Sequence, residues 1–121
     1  MTVKILLVED ESVTRKSLTE FLQNHDYEIV EAADGADALK LLGVEDFDLV
    51  ITDFVLPRVD GLHLTDVIQH SWPHIPVLLI SGYLSVAGAR AILKDRAEVM
   101  SKPIDHEELL RTVRRLTRPK A

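Results

Sequence analysis

Glu9, Asp10, Asp53, Ser81 and Lys102 are the side chains of this sequence whose types suit chemistry on phosphate. Each stands at the end of a short apolar run: residues 3–8, 49–51, 77–80 and 98–101. Taken singly, each has an ordinary explanation. Acids are common at a helix N-terminus, Asp often caps a loop, and Ser before Gly is a turn. A lone lysine is usually a surface residue. Gathered in one place they would do more. Three carboxylates crowded together repel, and one ammonium cannot neutralise them all. A hard divalent cation held by oxygen ligands would, and Mg²⁺ uses few carboxylates while keeping several waters. Such a cation, with Lys102 and the Ser81 hydroxyl opposite, suits a site built to receive a dianionic phosphoryl group.

Convergence depends on the elements that carry these residues. Residues 3–8, 27–32, 49–51, 77–80 and 98–101 read as strands, the third and fourth as near-continuous apolar runs of the kind buried on both faces. Between them the spacing predicts helices. The first follows Ser12 as N-cap and carries Leu18, Phe21 and Leu22. Asp34-Gly35 turns into a helix over 36–42 with Ala38, Leu39 and Leu42 inward. A third begins near Gly61 and buries Leu64, Val67 and Ile68; a fourth spans 85–94, weakened by Gly88. The last opens on Asp105, with Glu108 completing a capping box before Leu109, Leu110, Val113 and Leu116. Strand and helix alternate five times, and right-handed crossovers then force a mostly parallel sheet covered on both faces. The fold class is a doubly wound α/β three-layer sandwich. In such a sheet the strand ends share one edge, where open α/β folds gather their ligand-handling groups.

Composition narrows the function. The 121 residues are enough for one domain with one core, and 46% hydrophobic with 28% charged residues reads as globular rather than disordered. A net charge of −6 disfavours direct nucleic-acid binding by the domain as a whole. The absence of cysteine removes disulfides, thiolate chemistry and Cys-based zinc sites. His25, His63, His70, His74 and His106 show no metal-ligand spacing. No apolar run approaches membrane-spanning length and no signal-peptide pattern opens the chain, so a cytoplasmic protein or module is expected. The arginines Arg111, Arg114, Arg115 and Arg118 make the last helix basic, read first as a solvated face.

Over essentially its whole length the chain resembles a receiver domain of two-component response regulators. The matching residues are Leu7-Val8-Glu9-Asp10-Glu11, Thr52-Asp53-Phe54-Val55-Leu56-Pro57, Asp60-Gly61, Ser81-Gly82 and Lys102-Pro103. Each is weak alone; five in order, each at a strand end, are specific. The resemblance implies a flavodoxin-like strand order 2-1-3-4-5 and one receiver domain over 1–121. It implies that Asp53 is the phosphoacceptor, attacking the phosphohistidine of a sensor histidine kinase or histidine phosphotransfer protein. It implies Mg²⁺ as cofactor, held by Asp10, Asp53 and the backbone carbonyl of Val55, with Glu9 acting through water. Ser81 and Lys102 would bind the phosphoryl oxygens, and Pro103 would shape the following loop through a cis bond. Such a domain is a regulatory phosphoacceptor rather than an enzyme. Its output partner is not legible, and self-association into a homodimer is left open.

Four departures from the family stand out. Val99 occupies the position three before the lysine where receivers commonly carry an aromatic that repositions; Tyr83 is the nearby aromatic that could substitute. Ser81 replaces the commoner threonine, with Gly82 leaving room beside it. Val55 is apolar where many receivers are polar, so it cannot orient an attacking water. Asp95-Arg96 stands where a glycine often ends helix four. Competing functions are weaker. A phosphatase or phosphotransferase of the haloacid-dehalogenase type needs an acid two residues after the nucleophile, and that position is Val55. A degenerate receiver acting as a phosphorylation-independent docking module fits Val99 but not the intact acid, hydroxyl and lysine set. A nucleotide- or flavin-binding domain lacks its P-loop or Gly-x-Gly-x-x-Gly run.

Overall fold

Alternate residues of a strand point to opposite faces of its sheet, and here both sets are apolar. The computed structural model describes residues 2–82, 86–93 and 97–118. Its five strands are β1 (Lys4–Val8), β2 (Glu28–Ala32), β3 (Leu49–Asp53), β4 (Val77–Ser81) and β5 (Glu98–Ser101). All neighbours pair in parallel, in the order β2-β1-β3-β4-β5. The crossovers are α1 (Ser12–Gln23), α2 (Gly35–Leu42), α3 (Gly61–Ser71) and α4 (Val86–Leu93), and α5 (His106–Leu116) follows β5. Leu6, Val8, Val50, Val77, Leu79 and Val99 pack with Ala38 and Leu42 of α2, Leu64 and Ile68 of α3, and Leu93 of α4. The intervening Ile5, Leu7, Leu49, Ile51, Leu78, Ile80 and Met100 pack with Leu18 and Leu22 of α1, and Leu109 and Val113 of α5. Two helices on one face and three on the other make the expected doubly wound sandwich. No helix among the described residues is long and apolar enough to cross a membrane.

Local details depart from the pattern in a few places. α1 is capped one residue earlier than expected. Glu11 is still extended and its carbonyl takes the first helical N–H, from Arg15 at 2.9 Å, so Ser12 is already inside the helix. In α3, Val67 is half-buried and Thr65 lies buried in the core, its hydroxyl satisfied by donating to the Gly61 carbonyl at 2.7 Å. Thr112 takes a similar buried place in α5, where Leu110 is half-buried. Asp34, Asp60 and Asp105 cap α2, α3 and α5, each accepting backbone N–H groups of the first turn. The edge strand β2 is only partly covered, as its position requires. Tyr83, Asp95 and Arg96, named above, and both end residues of the helix expected over 85–94 lie outside the described residues.

One glycine matters directly to the strand end that carries Asp53. A Cβ on Gly61 would fall against the Asp53 carbonyl, 2.8 Å from the Phe54 Cα and 3.0 Å from the Leu79 Cδ2. The Gly61 N–H meanwhile donates to the Phe54 carbonyl at 2.9 Å, so the helix start is locked against the loop. Gly61→Ala is therefore expected to destabilise the domain by about 1–3 kcal/mol, the usual range for forced overpacking. Urea unfolding checks it; an unchanged midpoint would mean the loop relaxes freely.

Candidate functional site

Because all five strands run the same way, the residues that follow them meet at one edge. Glu9 and Asp10 come directly after β1, Asp53 closes β3, Ser81 closes β4 and Lys102 follows β5. Glu9, Asp10, Asp53, Val55 and Lys102 line a cavity of about 210 Å³, together with Glu11 and Gly82. One carboxylate oxygen each from Glu9, Asp10 and Asp53 lies within 4.8 Å of the others. Lys102 Nζ sits 2.7 Å from Asp53 Oδ2 and 3.5 Å from Glu9 Oε2. The Val55 N–H donates to Asp53 Oδ1 at 3.3 Å. Glu9 and Asp53 are buried, whereas Asp10 is exposed at the mouth.

Ser81 stands differently from the other four. It is buried at the end of β4, in register with Ser101 of β5, and its carbonyl accepts the Lys102 N–H at 3.0 Å. Its neighbour Gly82, rather than Ser81, lines the cavity. The Lys102–Pro103 peptide is cis. Val99 is buried in the core, opposite Leu79, and packs on the side of α2, α3 and α4. A β-branched side chain held there has one favoured rotamer and no swing between inside and outside.

The charges are not balanced. Burial pushes the Glu9 carboxyl up to about 7; the Glu11 N–H, 3.2 Å from Oε1, works against this. The charge of Asp53 adds to the rise and Lys102 offsets part of it. For Lys102, burial alone would lower the ammonium, but the hydrogen bond to Asp53 and the charges of Glu9 and Asp53 together raise it. Burial first, and then the crowding of acids around one cation, thus raise the proton affinity of Glu9. All-oxygen donors clustered at this spacing, two of them buried and with a single ammonium beside them, fit a hard divalent cation.

Several contacts around the cavity had no signature in the sequence. Arg15 of α1 donates from Nη1 to the Glu9 carbonyl at 2.7 Å and from Nε to Glu31 of β2 at 2.8 Å. Glu31 also meets Lys16, 3.4 Å away. Arg58, in the left-handed region at φ 68°, lies 3.7 Å from Asp34. A Cβ on Gly35 would meet Val59 Cβ at 2.6 Å, so the loop after Asp53 is seated on the start of α2. Apart from Arg15 and Glu9, six positions apart, these pairs join residues 15 or more positions apart, which no helical or strand spacing reveals.

The chain is similar to known regulators over nearly its whole length. It is 37% identical to response regulator protein FleR of Pseudomonas aeruginosa over 118 residues, 95% of this chain and 24% of that protein. It is 39% identical to the regulator of RpoS of Escherichia coli K12 over 109 residues, 89% of this chain and 32% of that protein. The chain therefore spans between about a quarter and a third of these two relatives. Among solved structures, response regulator protein TrrA of Thermotoga maritima, in complex with Mg(2+)-BeF, superposes with a TM-score of 0.86 at 32% identity. That alignment covers 95% of this chain and 99% of TrrA. The model of the response regulator receiver domain matches residues 5–114, and the chain belongs to that family.

Proposed function

We propose that residues 1–121 form one receiver domain that accepts a phosphoryl group on Asp53 from the phosphohistidine of a sensor histidine kinase or histidine phosphotransfer protein. The observation that carries this is the contact of Lys102 Nζ with Asp53 Oδ2, at 2.7 Å, inside a cavity walled by three further acids, Glu9, Asp10 and Glu11. A carboxylate oxygen of Asp53 attacks phosphorus, the P–N bond to the imidazole breaks, and an acyl phosphate results while the imidazole leaves as the neutral ring after taking a proton. Lys102 stays beside the oxygens that carry the transferred charge, and Ser81, which closes β4 next to the cavity-lining Gly82, would have to turn its hydroxyl into the cavity to donate to them. Asp10, Asp53 and the Val55 carbonyl would hold Mg²⁺, with Glu9 through water. When bound, the cation neutralises phosphoryl oxygens and the crowded acids. The likeness to TrrA, whose structure holds Mg(2+)-BeF, supports this assignment.

A groove of about 610 Å³ shares Glu11, Gly82 and Lys102 with the cavity and runs past Val13, Leu18, Ile104 and His106. Val13 is 75% exposed there, which suits an apolar contact with the phosphohistidine-bearing partner. The domain then signals through its altered surface, as a cytoplasmic regulatory module with no turnover of its own. Val99 favours a second reading, a docking module indifferent to phosphorylation, because it puts a buried valine, not an aromatic, three residues before Lys102. One experiment separates the two. With acetyl phosphate and Mg²⁺ the protein is expected to gain a single phosphoryl group by intact mass, and EDTA is expected to prevent the gain. A chain that gains nothing is a docking module.

The phosphorylated state should also be long-lived. Hydrolysis needs a water aligned behind phosphorus, and positioning carries most of the catalysis of phosphoryl transfer. Val55 lines the cavity, is 47% exposed, and offers that water neither donor nor acceptor. Gly82 lines the same cavity and leaves water room, a smaller opposing effect. Val55→Asn and Val55→Gln are expected to shorten the lifetime by about tenfold, less than the roughly 10²-fold minimum of a positioned general base because an amide orients the water without taking its proton. Decay of phospho-Asp53 measured in all three proteins checks it; a parent as fast as both variants removes the protective role of Val55.

A further inference from the structure

We infer that Arg15 is a positioning residue for the cation site: it clamps the Glu9–Asp10 peptide against β2 and so fixes where both acids point. The inference rests on the proposed assignment of Glu9 and Asp10 to that site. Both backbone polar groups of Glu9 are tied to the β2 side of the sheet. Its N–H donates to the Ala32 carbonyl at 3.1 Å, and its carbonyl accepts from Arg15 Nη1 at 2.7 Å. That carbonyl belongs to the peptide linking the two acids, so one guanidinium governs the orientation of both. Arg15 is in turn held through Nε by Glu31 Oε1 at 2.8 Å.

The clamp is built rather than incidental. The Arg15 and Glu31 side chains are only 16% and 23% exposed, against 67% for Lys16 on the other oxygen of Glu31. Although burial works to raise the Glu31 carboxyl, the hydrogen bonds from Arg15 and Lys16 bring it below the usual glutamate range. A guanidinium presents its donors in a rigid planar fork, so pairing at Nε sets the direction of Nη1. A lysine at position 15 could reach one partner but not both. Neither Arg15 nor Glu31 lines the cavity, so any effect they have on a bound cation passes through the Glu9–Asp10 peptide or through charge alone.

Charge and positioning predict opposite signs, which makes the test decisive. Arg15→Met keeps the apolar stem but removes a positive charge near a cluster of acids. By Coulomb attraction alone, Mg²⁺ should then bind more tightly. Loss of the clamp should instead weaken Mg²⁺ by about tenfold, the low end of what losing an outer partner of a metal site costs. Mg²⁺ affinity is measured by calorimetric or NMR titration, without any phosphodonor, and urea unfolding is measured beside it in chelator. Glu31→Gln is expected to weaken Mg²⁺ in the parent yet add nothing in the Arg15→Met background. Arg15→Lys, which keeps the charge, is expected to give a smaller loss of the same sign. Lys16→Met touches Glu31 but not the clamp and should leave affinity unchanged or slightly tighter. Equal or tighter binding in Arg15→Met overturns the inference, as does a fall in the urea midpoint with affinity unmoved. Should Arg15→Met fail to fold, Arg15→Lys decides by the same sign, and Glu31→Gln is read in the Arg15→Lys background, since by itself it weakens Mg²⁺ through charge as well. Asp10→Ala serves as the reference. If it binds Mg²⁺ like the parent, the cation-site assignment fails first, whatever the Arg15 variants do.

Discussion

Asp53→Asn is expected to gain no phosphoryl mass from acetyl phosphate and Mg²⁺, under conditions where the parent gains one group. Asparagine keeps the shape of the side chain and one acceptor oxygen for Lys102, so the fold and cavity should survive. It lacks the nucleophilic carboxylate, and without that no acyl phosphate forms. The neighbouring acids are poor replacements. Glu9 is buried with its proton affinity raised, and Asp10 is exposed and makes no contact with Lys102 like that of Asp53. Intact mass of parent and variant, with peptide mapping of any modified residue, is the measurement. The same gain in Asp53→Asn would move the acceptor to another acid and undo the assignment.

Lys102→Met is expected to split two properties that the parent combines. The ammonium is the one cation within 3.5 Å of both Asp53 and Glu9 among the described contacts. Its removal leaves the acids with less compensation, so Mg²⁺ should bind at least as tightly as in the parent. Phosphoryl uptake should nevertheless fall by about 10²–10³-fold, the usual cost of losing one preorganised group aimed at developing charge. Methionine retains the apolar stem, so the packing near Gly82 and Pro103 is disturbed little. Initial rates with acetyl phosphate at saturating Mg²⁺, together with the Mg²⁺ titration, test both halves. A rate within a few fold of the parent removes Lys102 from the chemistry; weaker Mg²⁺ binding would show that its role is structural.

Much of the architecture was legible from residue periodicity, because it depends on short-range rules. Val50 and Ile51 belong to opposite cores only because side chains alternate along a strand, and that period is written in the apolar run itself. Five alternations of strand and helix left little freedom beyond a parallel sheet, while the strand order came from resemblance to the family and stands in the structure as expected. The site set was legible for a related reason. Parallel strands finish on one edge, so Glu9, Asp10, Asp53 and Lys102 had to come near one another once their strands were placed.

What the tertiary structure alone decided is how these groups are held and charged. The N-cap of α1 fell on Glu11 rather than Ser12 because the chain there is still extended. Ser81 proved to be buried, its carbonyl tied to Lys102, while Gly82 faces the cavity. The raised proton affinity of Glu9 follows from burial, which depends on what the rest of the chain packs around it. The pairs Arg15–Glu31 and Asp34–Arg58 join residues 16 and 24 positions apart, beyond the reach of any helical or strand period. Residue type and spacing specify which groups a strand end can offer, since backbone geometry repeats along the chain. They do not specify which distant side chain closes on them, since that contact exists only after the layers have docked.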